Sequence, residues 1–218
     1  MFLAVYLIKP TLWFIAVFEA FFIFIEQQYE RYYEMTNLII HPKDRSTDFL
    51  KTIYQNLENK TVLSENSSRE EVREMIQSHD RVFMMGHGSP KGLFNVGGFI
   101  QDPICFYAIG HRLVPLLKEK KNSVFIWCNA DKFVEEHKLE GLYSGMFISE
   151  VGEARYCGIP NPKQKAVTQS NESFCEIFSE VADKPQKEAY DYIKWEYGRV
   201  AEFNKIASYN NERIYLQS

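Results

Sequence analysis

Three short apolar segments, each followed at once by turn residues, limit most strongly what this chain can fold into. They are residues 38–41 before Pro42, 81–86 before His87-Gly88, and 123–127 before Cys128-Asn129. Continuous apolar runs of this length are typical of strands that are buried on both faces. Because helical patterns separate the three runs, the strands are expected to be joined by crossovers and to lie parallel. The sequence therefore predicts an α/β domain, a three-layer sandwich with a mostly parallel sheet.

Weaker patterns predict the remaining elements. A short strand is expected at 61–63, a small hairpin at 92–100 and a further strand at 144–149. Helices are expected at 49–57, 69–77, 103–118, 133–137, 170–181 and 186–208. The first of these helices follows Ser46-Thr47-Asp48, residue types that cap helix N-termini.

Composition excludes several classes of protein. The 218 residues fit one domain, and 45% hydrophobic with 25% charged residues is close to the globular average. A net charge of −4 lacks the basic surface that a general nucleic-acid binder needs. The four cysteines are widely spaced, which argues against a disulfide framework and against a cysteine-rich zinc module.

The first 34 residues differ in character from the rest. All but four of residues 1–25 are apolar, near the ~20 apolar residues that a membrane helix needs. Pro10 and Glu19 interrupt that run, and no basic cluster precedes it. Two interpretations stay open: an over-extended reading frame whose natural start is Met35, with a cytoplasmic protein, or a single membrane anchor at residues 1–25. In both, residues 35–218 form the α/β domain.

The most informative residues for chemistry are His87 and Cys128, which directly follow two of the three apolar runs. Ligands of parallel sheets bind outside the carboxyl ends of the strands, and neighbouring strands lie only ~4.8 Å apart. A cysteine and a histidine so placed can act as nucleophile and base. Gly88 lacks a Cβ, so a carbonyl could approach closely, and the Gly88 and Cys128 N–H groups could hold the developing oxyanion.

A structural interpretation of the same residues stays open. A cysteine at the end of a buried strand usually behaves as a small hydrophobic residue. A histidine in a glycine-rich turn usually makes a local hydrogen bond. The combination of the two residues at two strand ends is what favours chemistry.

This combination resembles the caspase-like cysteine peptidases, the group of caspases, metacaspases, legumain, gingipains and separase. A strand ending in His87-Gly88 is followed, 41 residues beyond the histidine, by a strand ending in Cys128. The likeness covers about residues 35–185, and its specific part is 82–89 and 124–130. It implies a caspase-like fold and cleavage of peptide or protein substrates through a thioester by a Cys128/His87 dyad. Neither a cofactor nor a metal is implied.

One residue departs from the family pattern. Trp127 stands where the family usually has a small residue before its cysteine, and its indole either crowds the cleft or points into the core. This departure favours the main alternative, an inactive relative that serves as a protein-binding scaffold.

Charged residues at two places are candidates for substrate binding. Glu150 or Glu153, after the predicted strand at 144–149, would favour a basic residue before the scissile bond. Arg45, after the first strand, would instead bind an acidic side chain. Each also fits an ordinary solvated surface position.

A weaker alternative is nucleotide binding by the glycines at positions 86, 88 and 92, with Lys91 near a phosphate. Such a loop needs a helix N-terminus directly after it, which Pro90 and the following glycines disfavour. No metal site is predicted, because His111 and His137 have no second ligand at helical spacing.

Overall fold

The computed structural model describes residues 17, 19–21, 23 and 35–217. The chain divides into two compact units, residues 1–35 and 36–218. The described residues before 35 are helical, and the rest of the segment predicted as an anchor or an over-extended start lies outside the described residues. Within the part of the chain that the structure describes, no helix combines the length and the apolar character needed to cross a bilayer.

The second unit is built on a six-stranded sheet with the order β2-β1-β3-β7-β8-β9. The strands among its described residues are β1 Asn37–Ile40, β2 Lys60–Leu63, β3 Arg81–Met85, β4 Gly88–Ser89, β5 Gly92–Phe94, β6 Tyr107–Gly110, β7 Ser123–Ile126, β8 Gly141–Ser144 and β9 Ile214–Gln217. In the large sheet, β2, β1, β3, β7 and β8 are parallel, and β9 pairs antiparallel with β8. The predicted α/β class with a mostly parallel sheet is confirmed.

Helices cover both faces of the sheet. They are α1 Lys51–Tyr54, α2 Arg69–Ser78, α3 Val114–Leu117, α4 Ala130–His137, α5 Val151–Tyr156, α6 Gln164–Ser179, α7 Gln186–Ala201 and α8 Lys205–Asn211. Successive strand side chains point to opposite faces, so Ile40 and Phe125 join one core with α2, α3 and α4. Ile39 and Ile126 join a second core with α1, α6 and α7. The three-layer arrangement is thus confirmed as well.

The region between β3 and β7 differs from its prediction. It forms a second sheet of β4, β5 and β6 where a helix was predicted at 103–118 and a hairpin at 92–100. Only a 3-10 turn, His111–Leu113, and the short α3 are helical there. Ile109 pairs with Leu93, and both side chains are fully buried. The long-range pairing therefore decides the structure of a segment that has locally plausible helical character.

Two predicted boundaries near the C-terminus are also wrong. The strand predicted at 144–149 shares only Ser144 with β8, and residues 145–149 are not a strand. Ile148 is buried outside the sheet, because the Asn210 side chain accepts from its N–H and donates to its carbonyl, at 2.7 and 2.9 Å. The helix predicted at 186–208 ends at Ala201, and Asn204 caps a new helix by accepting from two backbone N–H groups. The antiparallel edge strand β9 was not predicted.

Candidate active site

Three neighbouring strands end at one edge of the sheet with chemically active side chains. His41 follows β1, His87 lies two residues beyond β3, and Cys128 lies two residues beyond β7. The pairing of β3 with β7 continues past the strands, since the Gly86 N–H donates to the Ile126 carbonyl at 3.0 Å. The two residues singled out in the sequence, His87 and Cys128, therefore follow adjacent parallel strands.

His87 contacts the segment after β1. Its Nε2 lies 2.7 Å from Ser46 Oγ and 4.0 Å from Asp44 Oδ1. Ser46 donates both its hydroxyl and its backbone N–H to Asp44 Oδ1, at 2.6 and 2.8 Å. These two hydrogen bonds from Ser46 lower the pKa of Asp44, and the nearby imidazole adds to the effect. Asp44, rather than the predicted Ser46-Thr47-Asp48 group, is the N-cap of the 3-10 helix Arg45–Leu50.

Cys128 has different neighbours. Its Sγ lies 3.5 Å from the Phe147 carbonyl and 3.6 Å from Glu153 Oε1, both of them acceptors for the thiol proton. Burial, and then the negative charge of Glu153, raise the pKa of the Cys128 thiol to about 12. A thiol with this pKa is protonated at neutral pH.

Glu153 is held firmly where it meets the thiol. Its second oxygen, Oε2, accepts from the backbone N–H groups of Ser149 and Glu150 at 2.7 and 3.1 Å, and from Ser149 Oγ at 2.9 Å. These bonds tie the carboxylate to the start of α5, where negative charge is favourable. The position of the Cys128 thiol is therefore set by the beginning of this helix.

The two residues of the predicted dyad lie at one edge of the sheet, but their side chains are not hydrogen-bonded to each other. Among the hydrogen bonds of residues 35–217, none joins Cys128 to His87: the imidazole bonds to Ser46, and the thiol to Phe147 and Glu153. The strand ends are placed as the sequence predicts, whereas the partners of both side chains were not foreseen.

Trp127 points into the core. Its side chain is 1% exposed and belongs to the core on the α2–α4 face, whereas Phe147, the neighbour of Cys128, belongs to the core on the other face. The indole Nε1 donates to the Ser89 carbonyl at 3.1 Å. A Cβ on Gly88 would lie 2.2 Å from the indole ring. The open space at Gly88, which the sequence suggested for a substrate, is thus needed by Trp127.

The charged candidates for substrate binding are, or adjoin in sequence, the partners of the two dyad residues. Arg45 is exposed and precedes Ser46, the partner of His87. Glu150 is exposed and begins the turn that carries Glu153, the partner of Cys128.

His41 is a neighbour of the site that the sequence did not single out. Its side chain is buried, with Nδ1 2.9 Å from the Tyr54 hydroxyl and Nε2 3.1 Å from Thr47 Oγ1. Burial, followed by the charge of Lys51, lowers its pKa to about 4. The signal was present, because His41 follows an apolar strand in the same way as His87 does.

The remaining predictions about this edge concern nucleotides and metals. Residues 88–94 form β4, its turn and β5, so the helix N-terminus that a phosphate-binding loop needs does not follow Gly88. Within residues 35–217 and the few described before them, no group of three or more His, Cys, Asp or Glu side chains is arranged to hold a metal ion.

Compared with family models, with curated proteins and with solved structures, the chain gives no match.

Proposed function

We propose that this chain is a caspase-like cysteine peptidase, with Cys128 as nucleophile and His87 as general base. One observation carries the proposal: β3 and β7 are adjacent parallel strands, and His87-Gly88 and Cys128 occupy the corresponding positions just beyond their carboxyl ends. This edge is where ligands of parallel sheets bind.

The proposed reaction has two steps. His87 takes the thiol proton, and the thiolate sulfur bonds to the carbonyl carbon of the peptide; the imidazolium then gives its proton to the leaving amine as the C–N bond breaks. Water, deprotonated by His87, attacks the thioester and releases the acid and the restored thiol. In this reaction the thiol gives up its hydrogen bond to Glu153 and forms one to His87. Hydrogen bonds between catalytic groups are often formed or shortened only when the substrate binds.

The test is alkylation of the folded protein by iodoacetamide at pH 7, followed site by site with mass spectrometry. Cys105 and Cys157 are partly buried, as Cys128 is, and serve as internal controls. When the iodoacetamide group is carried by a substrate-sized peptide, so that the reagent itself occupies the site, Cys128 should react at least ~10-fold faster than either, and His87→Gln should remove most of that advantage. Peptide cleavage should be lost in Cys128→Ser. Equal labelling of the three cysteines, unchanged in His87→Gln, contradicts the proposal.

A second candidate function is a protein-binding scaffold without catalysis. The observation that favours it is the contact of the Cys128 thiol with Glu153, whose charge opposes thiolate formation. A scaffold should bind peptides with the same affinity in the wild-type chain and in Cys128→Ser, with no cleavage. Calorimetric titration of the peptides used in the alkylation experiment separates the two functions.

A further inference from the structure

A chain of three polar side chains links the loop after β1 to the imidazole of His87. The Ser46 hydroxyl lies between Asp44 Oδ1, at 2.6 Å, and His87 Nε2, at 2.7 Å. Both distances are short enough to require a proton in each contact. The two distances therefore constrain which imidazole nitrogen of His87 carries a proton.

The count of protons settles the direction of each hydrogen bond. Asp44 is ionised at neutral pH, because the hydrogen bonds from Ser46 lower its pKa, so the carboxylate can only accept. The single hydroxyl proton of Ser46 must then lie in the contact with Asp44. The contact between Ser46 Oγ and His87 Nε2 needs the other proton, which has to come from the imidazole.

We propose that Ser46 and Asp44 are positioning residues that hold His87 in the tautomer with the proton on Nε2, which leaves Nδ1 as the base. The part of this inference that concerns catalysis rests on the proposed function. Nδ1 accepts the proton of the Cys128 thiol and later delivers it to the leaving amine, while the proton on Nε2 stays in place. The charge of Asp44, 4.0 Å from Nε2, stabilises the imidazolium that exists between the two transfers.

The support behind Ser46 is rigid. Thr47, the next residue, is buried, and both its N–H and its Oγ1 donate to the Asp44 carbonyl, at 3.1 and 3.2 Å. Thr47 Oγ1 also contacts His41 Nε2, and His41 is fixed from its other side by Tyr54. Ser46 is thus presented to His87 by a helix start whose side chains are anchored in the core, as supporting residues of functional histidines usually are.

The first experiment reads the tautomer directly and needs no substrate. Long-range ¹H–¹⁵N correlation spectra show which imidazole nitrogen carries the proton, and the spectrum of His87→Gln identifies the His87 signals among the five histidines. The wild-type chain should show the proton on Nε2. Ser46→Ala should shift the population toward Nδ1, Ser46→Thr should restore the wild-type pattern, and Asp48→Asn should leave it unchanged. Asp48 is the matched control, since it lies in the same 3-10 helix and pairs with Lys51.

The second experiment measures the rate at which Cys128 is alkylated by the same peptide that carries the iodoacetamide group. Ser46→Ala should lower the rate at least ~10-fold, as expected for a misoriented general base, and Ser46→Thr should recover it. Asp44→Asn keeps an oxygen acceptor for Ser46 and therefore the tautomer, but it should also lower the rate because the charge is lost.

The two experiments test the positioning role of Ser46 and the proposed function separately. A wild-type proton on Nδ1, or a spectrum unaffected by Ser46→Ala, overturns the positioning role. The expected spectra together with equal, slow alkylation of Cys128, Cys105 and Cys157 overturn the proposed function and leave the tautomer assignment standing.

Discussion

Replacing Glu153 by Gln changes the environment of the Cys128 thiol while preserving the local fold. The carboxylate lies 3.6 Å from Sγ through Oε1 and accepts three hydrogen bonds through Oε2 at the start of α5. Glutamine is a natural residue at this position of a helix start, because its amide oxygen accepts the same hydrogen bonds. Its NH₂ group would then face the sulfur and donate to the thiolate.

The size of the effect follows from the distance and the exposure. Two unit charges ~4 Å apart interact by ~4 kcal/mol at an effective dielectric constant of ~20. Glu153 is half-exposed and engaged by three donors, so we retain about a third of this figure, or ~1.4 kcal/mol, which is a factor of ten in an equilibrium constant. Burial is the larger cause of the raised pKa and persists in the variant. The pKa should therefore fall from about 12 without reaching the ordinary value of a cysteine.

The assay is the pH dependence of iodoacetamide alkylation at Cys128. Below the pKa, the rate is proportional to the thiolate fraction, so Glu153→Gln should raise it ~10-fold at any fixed pH between 7 and 9. Glu150→Gln is the matched control, because it removes the same charge from the same helix start and its side chain is exposed. An unchanged rate in Glu153→Gln, or an equal rise in Glu150→Gln, refutes the argument that Glu153 holds the thiol protonated.

Two further predictions concern stability and can be tested by urea unfolding. Gly88→Ala should lower the free energy of unfolding by ~3 kcal/mol, because the new Cβ would meet the Trp127 ring at 2.2 Å. Gly152→Ala, at an exposed position of helix α5 where the Cβ meets nothing within 4 Å, should leave stability unchanged or raise it by up to ~1 kcal/mol, and equal stability of the two variants would disprove the packing argument. His41 has a folded pKa of about 4 against an ordinary 6.5, so the folded state resists its protonation and stability falls as the pH drops from 6.5 toward 4. The wild-type chain should lose ~2–3 kcal/mol more than His41→Gln over that interval, and equal acid dependence of the two would refute the assignment.

The sequence predicts the parallel sheet well because its strands carry their own signal. The segments that became β1, β3 and β7 are continuous apolar runs closed by turns, and burial on both faces requires that pattern. The strands β6 and β9 carry no such signal. Each is short and lies at the edge of its sheet, and its structure is decided by a distant partner, Leu93 in the case of Ile109 and Leu142 in the case of Leu216.

For the candidate site, the sequence predicts the backbone positions of the residues but not the partners of their side chains. Strand ends fix where the backbone of His87 and of Cys128 emerges, and the apolar runs reveal those ends. The partners of the two side chains depend on how the 3-10 helix Arg45–Leu50 and the start of α5 fold over the sheet edge. Neither Ser46 nor Glu153 differs in sequence from an ordinary helix-capping residue, so only the tertiary structure distinguishes them.

Ser46 and Glu153 link the two proposed catalytic side chains, His87 and Cys128, to carboxylates whose charges have opposite effects on the proposed transfer of the thiol proton. Asp44 places negative charge 4.0 Å from His87 Nε2 and accepts a hydrogen bond from the Ser46 hydroxyl. Glu153 places negative charge beside the sulfur and disfavours the thiolate formed in the same transfer. In the proposed dyad, the two carboxylates therefore act on different groups, Asp44 on the imidazole side and Glu153 on the thiol side. Because the hydrogen bonds that fix Glu153 lie at the start of α5, whereas His87 bonds to Ser46, a substitution at that helix start is expected to change the thiol more than the imidazole.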